Sequence, residues 1–201
     1  MTGLFSGFAV LFFLFLSAQM LIMARADEGC DPDWKRFNRS TVGGWCIKVF
    51  HNPGITMEQA KQACIGNGAQ LSGVQEPAEM QYIQASSNST NIGSIWVGAT
   101  RNATCLNSKL TATCTQQTSF SWTDTPATTG TAGFSWLDAS QPDNAYGNQN
   151  CVAVFYAPTN VTVKGVNWFP GAMDDVDCGG VQLGAIPQRR IQGYLCGMAA
   201  V

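Results

Sequence analysis

The chain has 201 residues, of which 12% are charged, with eleven basic and thirteen acidic side chains, eight cysteines and one histidine. A formal net charge of −2 with no run of Lys or Arg excludes nucleic acid and anionic membranes as partners. The absence of a phosphate loop, a nucleophile elbow or a histidine with a companion base argues against an enzyme.

Residues 4–23 are almost wholly apolar and end at Ala24-Arg25-Ala26, ahead of Asp27-Glu28. An apolar run closed by an A-x-A tripeptide is the pattern of a cleaved secretory signal peptide. A membrane anchor of that length is the competing reading, but no Lys or Arg precedes the run to hold the N-terminus inside. Residues 1–26 are therefore expected to be a signal peptide. Residues 27–201 are expected to form one secreted domain, not inserted in a membrane after cleavage, with ten basic against thirteen acidic residues. Four Asn-x-Ser/Thr sequons, at Asn38, Asn88, Asn102 and Asn160, mark candidate glycosylation sites on its surface.

All eight cysteines, Cys30, Cys46, Cys64, Cys105, Cys114, Cys151, Cys178 and Cys196, follow the leader. In an oxidising compartment an even count implies four disulfides, with 105 possible pairings. Zinc is a poor alternative, because there is no C-x-x-C and the lone His51 has no ligand neighbour at useful spacing. His51 is read as a packing or surface residue.

In chain order, residues 30–50 read as a hairpin turning at Gly43-Gly44. Thr56-Met57-Glu58-Gln59 is a capping box opening a helix to about Ile65, with Ala60, Ala63 and Cys64 on one face and a stop at Gly66 or Gly68. Pro77 sits in the first turn of a second helix that turns Met80 and Ile83 inward. Short strands follow around Trp96, Trp122, Val154 and Leu195. Between Trp122 and Cys151 the chain is rich in Thr, Gly, Pro, Asn and Asp, which reads as a long functional loop.

Several of these segments together resemble a C-type lectin-like domain across nearly the whole mature chain. They are Cys64 late in the first helix, Trp96-Val97-Gly98, Phe120-Ser121-Trp122-Thr123-Asp124, Gln141-Pro142-Asp143 and the ordered Cys151, Cys178 and Cys196. The resemblance implies an α+β C-type lectin-like fold: two helices, small antiparallel sheets and long disulfide-clamped loops. It implies the pairs Cys64–Cys196 and Cys151–Cys178, with Cys30–Cys46 closing the N-terminal hairpin of longer members and Cys105–Cys114 left as the remaining pair.

The resemblance also implies a site. In sugar-binding members a tripeptide with a cis proline supplies two calcium ligands, here Gln141 and Asp143. Gln149 falls where a third ligand, usually Glu, belongs, and Asp174 and Asp175 where an Asn-Asp pair belongs, with Met173 in place of a Trp. The expected cofactor is Ca²⁺, bound at roughly 10⁻⁴–10⁻³ M. Sugar hydroxyls would complete its coordination against Gln141, Asp143, Gln149, Asp174 and Asp175, with Tyr146 as an aromatic platform. The Gln-Pro-Asp order goes with galactose-type sugars, so the expected partners are glycans or glycoproteins. The alternative is a calcium-independent member of the fold that binds a protein.

Overall fold

The computed structural model describes residues 29–201. The signal-peptide expectation for residues 1–26 lies outside them. A single mixed sheet of eight strands organises the domain: β1 (Lys35–Arg39), β2 (Gly43–His51), β3 (Gln70–Leu71), β4 (Gly93–Arg101), β5 (Phe120–Trp122), β6 (Cys151–Tyr156), β9 (Met173–Val176) and β10 (Ile191–Ala199). Its main path runs β1-β2-β10-β4-β6-β9, with β3 added beside β10 and β5 beside β4. Every pairing is antiparallel except β10 with β4, where Gly193 faces Ile95 and Tyr194 faces Trp96 in parallel register. The expectation of small antiparallel sheets is thus corrected to one larger mixed sheet. The remaining strands, β7 (Val161–Val163) and β8 (Val166–Trp168), form a separate hairpin. Its two turn residues, Lys164 and Gly165, have φ of 49° and 83°, as a tight two-residue turn requires.

The helices begin where local chemistry places them. At α1 (Met57–Gly66), the Thr56 hydroxyl accepts from the Gln59 amide and the Gln59 side chain accepts from the Thr56 amide, completing the capping box. The helix buries Met57, Ala60 and Cys64 and ends at Asn67, ahead of Gly68 at φ 68°. In α2 (Pro77–Ala85) the proline occupies the first turn, and Met80 and Ile83 face inward. A third helix, α3 (Val181–Gly184), adds to the expected two. The Asp177 carboxylate accepts from its Val181 and Gln182 amides. One turn also moves: the β1–β2 connection is residues 40–42, while Gly43 and Gly44 lie inside β2 opposite Arg39 and Asn38.

Strand β6 is buried at all six residues, and alternation divides it between two sides. Val152, Val154 and Tyr156 join Ile47, Ile83, Val97, Trp122 and Met173 on one side. Cys151 and Ala153 join Trp96, Val176 and the inner face of α1 on the other. The four disulfides pair as the resemblance implied: Cys30–Cys46, Cys64–Cys196, Cys105–Cys114 and Cys151–Cys178. Cys64–Cys196 spans 132 residues, a closure worth about 4–5 kcal/mol in the loop-entropy account.

A buried charge cluster joins β1, α2 and the long loop. The Arg39 guanidinium donates to both Glu79 carboxylate oxygens at 2.7 and 2.8 Å, to the Thr128 hydroxyl at 2.8 Å and to the Gly73 carbonyl at 3.1 Å. It also lies 3.4 Å from Asp124 and covers the Trp45 ring. Asp124 in turn accepts from the Gly73 amide and the Thr128 hydroxyl. Removing one member strands the others in a dry interior. Arg39→Ala and Glu79→Ala are each expected to lose about 3–5 kcal/mol in denaturant unfolding. The double variant should lose less than the sum of the two, because both changes act on one network.

Candidate functional site

Between β5 and β6 the chain makes only one sheet-like contact, the bridge from Trp136 to Met173. It is held instead by side chains. Trp136 donates its indole N–H to the Gln116 carbonyl, and the Gln116 amide donates to the carbonyls of Asp138 and Gln141. Gln141-Pro142 is cis, as the resemblance implied, and Thr125-Pro126 is a second cis bond.

The centre of the candidate site is a residue that the sequence motifs did not single out, Arg101 at the end of β4. Its Nη2 donates to the Asp175 carboxylate, its Nε to the Gln149 carbonyl at 2.9 Å and its Nη1 to the Ser108 carbonyl at 3.3 Å. Both side chains of the Arg101–Asp175 pair are fully buried, and the guanidinium lies over the Phe120 ring. Asp175 also accepts the amides of Asp143 at 3.0 Å and Asn144 at 2.9 Å. Burial lowers the Arg101 pKa from its ordinary value, and attraction from Asp175 and Asp143 opposes that change. Burial likewise raises Asp175, against the Asn144 amide and the arginine.

Gln141, Asp143, Gln149 and Asp175 are therefore brought into one hydrogen-bonded loop. The Gln141 amide oxygen accepts from the Asp143 N–H, and the Asp143 carboxylate accepts from the Ala145 N–H. Gln149 accepts from the Ala145 amide and donates to the Gln182 side chain. Tyr146 stands at the tip of this loop, 74% exposed.

Asp174 does not join the group. It neighbours Asp175 in an extended strand, so the two side chains leave on opposite faces. Asp174 pairs at 3.1 Å with Arg189, which is stacked 3.4 Å from the Trp168 ring and donates to Ser94. Burial pushes the Asp174 carboxyl up to about 6, more than Arg189 pulls it down.

As placed, these residues do not fit a calcium cage. Asp175 already holds a guanidinium, Asp174 faces elsewhere, and the Gln149 amide is engaged at both ends. Among the described residues no group of three or more His, Cys, Asp or Glu is arranged to hold a metal. The signal for Arg101 was present in the sequence: Ile95, Val97, Ala99 and Arg101 alternate along one strand, which carries the arginine in line with core residues to the loop end. His51 is exposed at the end of β2, its ring 5.7 Å from that of Tyr156.

The sequence profile of the family described as C-type lectin domain-containing protein 141/158 matches residues 35–199. The chain belongs to this family. Family members of this kind are generally binding proteins rather than enzymes. By sequence, no curated protein matches. By structure, the chain is similar to the carbohydrate-recognition domain of cow CD23, described in the presence of a GlcNAc2Man3 oligosaccharide. The identity is 19%, covering 86% of this chain and 97% of that one, with a TM-score of 0.52. It is similar to the mouse scavenger receptor C-type lectin carbohydrate-recognition domain at 19% identity, 86% and 99% coverage and a TM-score of 0.52. It is similar in the same way to a calcium-independent type II antifreeze protein, at 18% identity, 86% and 95% coverage and a TM-score of 0.51. At these identities the likeness shows the C-type lectin-like fold alone.

The Asp174 environment gives a pH dependence of definite sign. A carboxyl whose folded pKa lies above its unfolded value stabilises the fold fully when protonated, and that stability is lost as pH rises through the folded value. A tenfold change in proton affinity between the folded and unfolded chain corresponds to about 1.4 kcal/mol. Relative to Asp174→Asn, the parent protein is expected to lose stability between about pH 4 and pH 7, read from denaturant midpoints across that range.

Proposed function

We propose that the domain is an exported, calcium-independent binding domain whose ligand loop is held by Arg101 where a metal ion would otherwise act. The observation that carries this reading is the buried Arg101–Asp175 pair with the Gln149 and Ser108 carbonyls on the same guanidinium. Calcium draws carboxylate and carbonyl oxygens around itself. Here one arginine gathers the same kinds of oxygen, and its fork of donors fixes their directions.

Export is supported by the apolar leader and by four disulfides, which persist in oxidising compartments. No helix among the described residues is long and apolar enough to cross a membrane. Asn38, Asn88 and Asn160 are exposed and open to glycosylation. Asn102 is half-buried and donates its side-chain amide to the Thr118 carbonyl, so it is the poorest acceptor of the four. The ligand class we assign is a glycan or glycoprotein, met at the face where Gln141, Asp143 and the exposed Tyr146 ring offer polar groups beside an aromatic platform.

Thermal unfolding in calcium and in EDTA tests the metal question directly. The parent curves are expected to coincide. In Arg101→Ala the buried Asp175 loses its cation, so the variant should unfold earlier in both solutions. Calcium bound at tenfold saturation would raise stability by about 1.4 kcal/mol. A rise of that size in the parent protein would instead support calcium-dependent recognition of galactose-type hydroxyls by Gln141 and Asp143.

A further inference from the structure

A cleft of about 360 Å³ lies beside the long loop, lined by Gln117, Thr131, Phe134, Ser135, Trp136 and Asp138 among others. Gln117 and Thr131 also line a second cleft of about 430 Å³ that continues past Phe120 and Trp122. The two clefts adjoin at Gln117 and Thr131 and are taken together as one groove, each part within the roughly 300–1,000 Å³ range of small-molecule sites.

The groove's aromatic wall is rigid. Trp122, Phe134 and Trp136 lie nearly parallel, with interplanar angles of 8° and 7° and centroid separations of 4.1 and 5.4 Å. Trp122 is buried, whereas Phe134 and Trp136 are offset-stacked and line the first cleft. Both residues are half-buried, and the Trp136 indole N–H is fixed on Gln116. Three of the polar side chains that line the clefts, those of Gln117, Thr131 and Ser135, form no hydrogen bond within the described residues, whereas Gln116, Asn102 and Ser121 are engaged internally. Asp138 keeps one carboxylate oxygen on Ser140 and brings the only charge among the lining residues of the two clefts.

We infer that this groove is a second binding site, for a neutral oligosaccharide held without calcium. An uncharged sugar presents an apolar ring face for the aromatic wall and hydroxyls for amide, hydroxyl and carboxylate partners. With no Lys or Arg lining it and one carboxylate present, the groove disfavours sialylated or sulfated chains. The inference rests on the reading that the domain binds glycans without calcium. It differs in location, because Gln141, Asp143 and Tyr146 do not line the groove.

The test is retention of the purified full-length exported chain on an array of neutral, sialylated and sulfated oligosaccharides in EDTA. The best neutral oligosaccharide is then titrated against intrinsic tryptophan fluorescence. Neutral oligosaccharides are expected to be retained, with a fluorescence change reporting the wall at Trp136. The double variant Gln117→Ala/Thr131→Ala removes two exposed side chains without internal partners, and is expected to weaken binding at least tenfold with an unchanged melting curve. Asp143→Ala alters the loop site, so the two sites are told apart by the share of binding that the double variant loses and Asp143→Ala keeps. Retention of no neutral glycan in EDTA overturns the groove, as does retention of acidic glycans alone. Loss of binding in Asp143→Ala with no effect of the double variant also overturns it, while leaving calcium-independent binding at the loop in force. A calcium-dependent melting shift in the parent, together with groove-sensitive binding in EDTA, retires the calcium-independent loop and keeps the groove.

Discussion

The contact between Arg101 and Asp175 decides how the long-loop half of the domain is built. A buried guanidinium needs acceptors for its donors, and a buried carboxylate needs donors for its lone pairs. The pair meets both needs by recruiting backbone: Gln149 and Ser108 turn carbonyls toward the arginine, and Asp143 and Asn144 turn amides toward the aspartate. Three separate stretches of chain, at Ser108, Asp143-Asn144 and Gln149, are thereby referred to one charge pair. The Cys151–Cys178 disulfide brackets the same region by joining the start of β6 to the residue two beyond β9. A loop with little regular structure thus takes a defined shape from these side-chain contacts.

Two other arginines do similar work elsewhere. Arg39 fastens β1, α2 and the start of the long loop through Glu79 and Asp124, and Arg189 fastens the approach to β10 through Asp174, Ser94 and the Trp168 ring. In each case the planar fork reaches several acceptors at once, which a lysine ammonium does less well. A chain with only 12% charged residues places three of its arginines inside. Few charges remain for its surface, consistent with clefts lined by Gln, Thr and Ser.

Features governed by neighbouring residues were legible in the sequence. The Thr56 capping box, the first-turn Pro77 and the inward Met80 and Ile83 depend on spacings of three or four residues. The disulfide pairing came from a resemblance, since cysteine spacing leaves every connectivity open. Partners distant in sequence were not legible. Arg101 and Asp175 are 74 residues apart, and nothing periodic links them. Assigning both Asp174 and Asp175 to one ion treated two adjacent residues as neighbours in space. Once β9 is a strand, its two-residue period sends Asp174 to Arg189 and Asp175 to Arg101.

Gln149 shows the same point from the other side. Set against a calcium cage, an amide where a carboxylate is usual looks like a weakened ligand. In this loop its oxygen accepts from the Ala145 amide while its nitrogen donates to Gln182 on α3, so one side chain braces the loop tip against a second element. A carboxylate accepts only and cannot make the second bond to an amide oxygen. It would also add a buried negative charge to a loop where Arg101 already balances Asp175. The amide is therefore the residue type that an arginine-centred loop requires, and the departure from the calcium pattern agrees with the cation that Asp175 holds.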